Sequence, residues 1–208
     1  MTKKDKLYQI YEVALRVFAK YGYKKATVED IAKEMGMTKG NLYLYTKSKK
    51  DLYEKTVAHG LLRWQARVRK EMEGQDDIVK RFVIMCTKAF EYLSKDSALR
   101  AVLINDPTIF PLSPHEDRFT EINRASMDML KGILQTGIEQ GRFCKIDVDH
   151  ITQFLFSIYV MFIIKAYVKP EGRSTQAMFD EGLGLILRGL LKNERQAGQP
   201  AILIKKRR

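Results

Sequence analysis

Between Thr38 and Tyr43 the sequence sets out four side chains suited to the edges and backbone of a nucleic acid duplex: Thr38, Lys39, Asn41 and Tyr43. A lysine reaches a phosphate or the O6/N7 edge of guanine, an asparagine reads a base edge, and hydroxyls bond phosphate oxygens. Gly40 lies among them, and its missing side chain lets a backbone approach closely. Tyr45, Lys47 and Lys49 follow, and Thr27 stands upstream. These nine positions (Thr27, Thr38, Lys39, Gly40, Asn41, Tyr43, Tyr45, Lys47, Lys49) are the candidate contacts to DNA. No comparable set points to catalysis. His59, His115 and His150 lie far apart, and there is no HExxH, nucleophile elbow, P-loop or GxGxxG. Cys86 and Cys144 are the only cysteines, without a CxxC, which argues against a disulfide framework or structural zinc and for free thiols. No catalytic residue, metal or cofactor is expected.

The spacing around these residues predicts how they are held. Thr27 N-caps a helix with Asp30 three residues on, a variant of the capping box. Val28, Ile31, Ala32 and Met35 form its apolar face. Gly36 ends it, since the turn needs φ > 0, and Met37 plugs the turn. Thr38 caps a second helix running to Tyr45, with Leu42 and Tyr45 inward and Thr38, Lys39, Asn41 and Tyr43 outward. This is a helix-turn-helix pattern, whose second helix enters the major groove with its first residues nearest the bases. Ser48 and Asp51 repeat the cap for a third helix, and the lysines around that N-terminus suit a phosphate. Ahead of the motif, residues 5–21 carry Leu7, Ile10, Ala14, Val17 and Phe18 at helical spacing, stopped by Gly22. That helix completes a three-helix head.

Charge follows the same segment. The chain has 208 residues and a net charge of +12. Up to Lys50 there are 12 Lys/Arg against 5 Asp/Glu, so more than half of the excess sits on the first quarter of the chain. A basic footprint beside the motif is what phosphate binding requires. The N-terminus MTKKDK has no apolar stretch behind it that reads as a signal peptide, and a cytoplasmic location is expected.

Lys25-Ala26-Thr27-Val28, Asp30-Ile31-Ala32, Gly36 through Tyr43, and Lys47-Ser48-Lys49 with Leu52 closely resemble the N-terminal domain of TetR-family transcriptional regulators, over roughly residues 5–55. The resemblance implies an all-α homodimer whose larger C-terminal domain binds a small molecule and releases DNA. Thr46 departs from the family, which usually has an aromatic there, and Leu44 stands where Tyr is frequent.

The remainder reads as helices throughout, at residues 48–74, 77–93, 97–104, 116–140, 149–168 and 174–192. The expected division is a DNA-binding domain over 1–50, a helical ligand-binding and dimerisation domain over 51–192, and a disordered basic tail over 193–208. Residues 105–114 hold three prolines yet also Ile109, Phe110 and Leu112, an apolar loop suited to walling a pocket or capping the core. Phe82, Met85, Cys86, Phe90, Phe110, Met127, Phe154 and Ile158 are the candidate effector contacts, because Met and aromatic side chains adapt to apolar ligands. The run Phe154–Ile164 is apolar on all sides but too short to span a membrane, so one face is expected against the body and the other against a second subunit. Gly182, Gly184 and Gly189 suggest close approach by another helix. Lys165 either snorkels to solvent or pairs with an anionic effector.

These features together predict a repressor that binds a palindromic operator as a homodimer, makes no membrane contact, and is released by an apolar or amphipathic effector. The alternative is a constitutive dimeric DNA-binding or architectural protein; a third is a helical enzyme that borrowed the head. A cavity lined by Phe82, Phe90 and Phe154 marks the first, and a solid core the second.

Overall fold

The computed structural model describes residues 2–110, 117–168 and 174–192. Among them are nine α-helices: α1 Lys3–Lys25, α2 Val28–Glu34, α3 Lys39–Tyr43, α4 Lys49–Met72, α5 Ile78–Lys95, α6 Ser97–Asn105, α7 Thr120–Glu139, α8 Val148–Ile163 and α9 Ser174–Leu190. A 3-10 turn, Pro107–Ile109, follows α6, and a π turn, Ile164–Val168, extends α8. The described residues hold no strand pairing beyond one bridge, Phe143 to Leu191, which ties the end of α9 to the α7–α8 connection. The fold is all-α, with a small N-terminal bundle and a larger helical body.

Local chemistry sets the ends of the helices. Thr2 and Asp5 form a full capping box, so α1 starts at Lys3 and the early lysines lie on a helix rather than a frayed tail. Gly22 (φ 72°, ψ 161°) breaks the helical path where the sequence predicts a stop, and a turn to Lys25 follows. Thr27 and Asp30 also cap reciprocally, and such a cap is worth about 1 kcal/mol. Gly36 takes φ 63° and the Met37 amide reaches back to the Ala32 carbonyl at 2.9 Å, the closing bond of a Schellman motif. The second motif helix is shorter than the sequence predicts. After Tyr43 the amides of Leu44 and Tyr45 bond Asn41 and Leu42, three residues back, which tightens the last turn.

The core is continuous from head to body. Ile10, Ala14, Leu15 and Phe18 of α1 meet Val28, Ile31 and Leu42 below them and Leu52, Val57, Leu99 and Leu103 of α4 and α6 beside them. The domain boundary expected between residues 50 and 51 therefore falls inside α4, which runs unbroken from the head into the body. Close helix approach occurs at glycines other than those singled out in the sequence. A Cβ at Gly60 would lie 3.0 Å from Leu99, and one at Gly137 would run into the Phe143 ring. Gly182 and Gly189 face open space within the chain, and Gly184 has only the Arg188 guanidinium nearby at 3.5 Å.

The apolar eighth helix also differs from expectation. With its π turn it provides a 19-residue stretch, Val148–Ala166, of mean hydropathy 1.3, long and apolar enough by length and composition to cross a membrane. Only 17% of it is buried within the chain. Its exposed apolar side chains include Phe154, at 56% exposure, and Met161. The Asp147 cap on His150 and the acidic first turn mark its start as a solvated helix end.

Candidate DNA-reading face and ligand cavity

Seven of the nine candidate DNA contacts, Thr27, Thr38, Lys39, Gly40, Asn41, Tyr43 and Lys47, are exposed on the head. Leu42 is buried beneath them and anchors α3. The Thr38 hydroxyl accepts from the Asn41 amide at 3.2 Å, fixing the first turn. The Lys39 ammonium pairs with Glu29 of α2. Tyr45 is half-buried and packs against the core, so its ring supports the face more than it forms it. Lys49 is half-buried too: its ammonium donates to the Lys24 carbonyl at 3.1 Å and lies 4.8 Å from the centre of the Tyr23 ring. That cation is aimed along the α1 end of the face rather than into open solvent.

Leu44 and Thr46, the two departures from the family resemblance, have distinct roles here. Leu44, 74% exposed, stands beside Tyr43 and offers an apolar surface of the kind that meets a thymine methyl. Thr46 is buried and serves as polar glue. Its hydroxyl bonds the Ser48 carbonyl at 3.0 Å and Asp51 Oδ2 at 2.9 Å. The same carboxylate oxygen accepts from the Lys47 amide at 2.9 Å and the Lys55 ammonium at 3.0 Å. The Lys47 amide leads in holding the Asp51 carboxyl at about 2, against the opposing effect of burial, and Lys55 and Thr46 add to it. An ionised carboxylate thus clamps the loop that enters α4.

Two polar junctions join head and body. Arg63 of α4 bridges Glu12 of α1 and Asp96, the residue that caps α6. His59 also reaches Glu12, at 2.9 Å. Lower on α4, the Tyr53 hydroxyl donates to Asp106 Oδ2 at 2.9 Å, where Arg118 also arrives at 2.7 Å, while Thr108 donates to Oδ1 of the same carboxylate. Burial works to raise the Asp106 carboxyl, but Thr108, Arg118 and Tyr53 hold it below the usual range. Burial and that carboxylate push the Tyr53 phenol well up, so it stays a proton donor.

A cavity of about 400 Å³ opens in the body, within the range of small-molecule sites. Its wall comes from α4 (Leu61, Trp64, Gln65, Val68), α5 (Phe82, Met85, Cys86, Ala89), α7 (Ile122 to Leu130), α8 (Phe154 to Ile163) and α9 (Phe179 to Ile186), with Phe110 from the loop after α6. Of the eight candidate effector contacts, Phe82, Met85, Cys86, Phe110, Phe154 and Ile158 are on this wall. Phe90 is set behind it, its ring tilted against Phe179 at 4.3 Å and edge-on to Tyr159, because its place on α5 turns it toward α8 and α9. Met127 is off the wall, whereas Met129 and Ser126 of the same helix are on it. Lys165 is also off the wall. Among the described residues no charged side chain lines the cavity. Burial pushes the Cys86 thiol up to about 12, so it is a weakly polar wall group and not a nucleophile. The rest of the three-proline loop, residues 111–116, and the tail 193–208 lie outside the described residues.

A solvent-facing helix-turn-helix carried by a helix that also walls an apolar cavity defines a DNA-binding regulator. Residues 10–56 match the model for bacterial regulatory proteins of the tetR family. That match covers the helix-turn-helix head, 47 of the 208 residues, and makes this segment similar to the DNA-binding domain of tetR-family regulators. The chain is 24% identical over 189 residues to the fatty acid metabolism regulator protein of Bacillus subtilis, covering 90% of this chain and 97% of that protein. Its fold is similar to that of FadR from Bacillus subtilis, solved in complex with stearoyl-CoA (TM-score 0.72, 23% identity, 87% of this chain and 97% of that one). It is also similar to the ketosteroid transcriptional regulator KstR2 of Mycobacterium tuberculosis (TM-score 0.60, 23% identity, 90% and 96%).

Proposed function

We propose that this regulator is a repressor, binding a palindromic operator as a homodimer and released by an apolar or amphipathic small molecule held in the cavity. The observation that carries the reading is the shared helix. Leu61, Trp64, Gln65 and Val68 of α4 are on the cavity wall, and the first turn of the same unbroken helix holds Lys49 and the Asp51 clamp of the reading head. From Ser48 to Trp64 is roughly 24 Å of rigid helix at 1.5 Å per residue, so a tilt imposed at the cavity is delivered as a displacement of the head. Similar proteins include a regulator of fatty acid metabolism, one solved with stearoyl-CoA and a ketosteroid regulator, which supports an apolar or amphipathic occupant. The open cavity favours this reading over a constitutive DNA-binding protein with a solid core. Exposed apolar side chains on α8 and α9, among them Phe154, Met161 and Leu185, support a two-fold interface there, which matches the symmetry of a palindrome.

Release requires the ligand to prefer the conformation whose two heads no longer fit successive major grooves. A hundredfold loss of operator affinity corresponds to about 2.7 kcal/mol of coupling, and by reciprocity operator DNA weakens ligand binding by the same factor. Trp64, the only tryptophan of the chain, is on the cavity wall, so its emission reports occupancy directly. The test titrates a long-chain acyl-CoA and a ketosteroid against that signal, with and without operator DNA. Weaker binding in the presence of operator is expected. Equal affinities would show that the occupant is no inducer.

A further inference from the structure

Four polar side chains of the cavity wall, Trp64, Gln65, Asn123 and Ser126, are sorted by sign. Gln65 Nε2 donates to the Ile122 carbonyl at 3.1 Å and to Ser126 Oγ at 2.9 Å. Ser126 Oγ in turn donates to the Ile122 carbonyl at 3.3 Å. Asn123 Nδ2 donates to both carboxylate oxygens of Asp117, at 3.1 and 3.0 Å. Trp64 Nε1 donates to the Ala89 carbonyl at 2.8 Å. A backbone carbonyl and an ionised carboxylate only accept. The NH₂ ends of Gln65 and Asn123 are therefore fixed by their partners, and neither amide can be turned round without facing acceptor with acceptor. What remains open on these two wall residues is Gln65 Oε1 and Asn123 Oδ1. Neither accepts a hydrogen bond among the described residues, and neither is sealed from solvent.

We infer that the cavity selects an uncharged apolar molecule carrying a hydrogen-bond donor, of the alcohol or phenol class, with its hydroxyl given to Gln65 Oε1. This rests on the cavity being the effector site and names the chemistry it takes. The donors of Trp64, Gln65, Asn123 and Ser126 are already committed to protein acceptors, which leaves the Tyr159 phenol as the other hydroxyl on the wall. A carboxylate held inside would also meet no cation among the described wall residues, and an unpaired charge there carries a desolvation cost that no wall residue offsets. An amphipathic anion fits only with its charge left at the mouth. Gln65 has a second consequence, because it is on α4 and its amide is tied to α7. A hydroxyl that binds Oε1 reads the position of α4 relative to α7, the relation that the proposed release mechanism changes.

The experiment uses the full chain and follows Trp64 emission with three probes of one apolar body: decanol, its methyl ether and decanoate. Decanol should bind about tenfold more tightly than the ether, the size of one neutral hydrogen bond, and decanoate no better than the ether. Gln65→Leu should remove the advantage of the alcohol over the ether. Equal binding of alcohol and ether by the unaltered protein, or tightest binding of decanoate, overturns the inference without touching the cavity reading. If no probe moves the Trp64 signal, and the acyl-CoA and ketosteroid also fail, the cavity reading itself falls and takes this inference with it. The comparison between probes is made on the unaltered chain, so it stands even if Gln65→Leu folds poorly.

Discussion

Replacing Tyr53 by Phe should uncouple the cavity from the reading head. The change removes one hydroxyl and leaves the ring, which is 4% exposed and packs edge-on to Phe18 at 4.9 Å and against Tyr23 at 4.8 Å. The lost bond is to an ionised acceptor, the class worth roughly 1.5–3 kcal/mol. Asp106 keeps Arg118 and Thr108, so no carboxylate is stranded and the low end, about 1.5 kcal/mol, applies. At this chain length that lowers Tm by about 3–6 °C. The functional effect should be larger in kind than the loss of stability. Asp106 leads into the turn that places Phe110 on the cavity wall, while Tyr53 stacks on Tyr23, whose other neighbour is the Lys49 ammonium at 4.8 Å. The bond thus lies between a wall residue and a cation on the DNA side. Operator affinity without effector should change little, and the factor by which effector weakens it should fall several-fold. Fluorescence anisotropy of labelled operator, with and without saturating effector, measures that factor. A Tyr53→Phe protein that melts lower yet keeps the wild-type factor would refute this route.

Asn41→Ala should relax preference at one operator base pair by roughly 1–3 kcal/mol, whereas Lys49→Ala should weaken binding to all sequences and flatten its salt dependence; binding across a panel of operator variants and salts separates them. Leu185, 65% exposed on α9, should tolerate Arg in the monomer while abolishing the dimer and, with it, high-affinity binding to a palindrome; sedimentation of Leu185→Arg checks this, and a stable dimer counts against the α8–α9 interface. Asp51 contributes stability that is present above the ordinary Asp value of about 3.9 and is lost as pH falls through about 2. The Tm difference between wild type and Asp51→Asn should accordingly narrow as pH is lowered across that interval, and a constant difference would show that the carboxylate charge is not what clamps the loop.

The head was legible because its instructions are local. Thr27 with Asp30, Gly36, Thr38, and Ser48 with Asp51 each act on a backbone group three or four residues away, and each is found in that role. Where local reading failed, the cause was also local. The tightened turn after Tyr43 shortens α3 and leaves Leu44 outward, which residue types alone do not announce. Thr46 stands out in the sequence only as a departure from the resemblance, whereas Asp51 five residues on makes it a hydrogen-bonding site. The glycines show the same limit from the other side. On α9, Gly182 and Gly189 meet nothing within the chain and Gly184 meets only Arg188, while Gly137 is required by Phe143, which folds back onto α7 after the Gly141 turn.

The body was legible by composition but not by sign. Periodicity could say that Phe82, Met85 and Ile158 face inward, since an inward stripe is a property of one helix. It could not separate Met127 from Met129, or place Phe90 behind the wall, because those outcomes depend on which neighbouring helix occupies each angle. The polar groups are harder still. Gln65 meets Ser126 and Ile122 across 61 and 57 positions of sequence, and Tyr53 meets Asp106 across 53. No pattern on either helix marks these partners. Yet the partners decide whether an amide on the wall offers a donor or an acceptor, and hence which ligand chemistry the cavity accepts. The Phe and Met of the sequence mark an apolar wall; in the proposed selection of a hydroxyl, the choice against a carboxylate rests on the carbonyl of Ile122 and the carboxylate of Asp117, which hold the two NH₂ groups and leave the oxygens open.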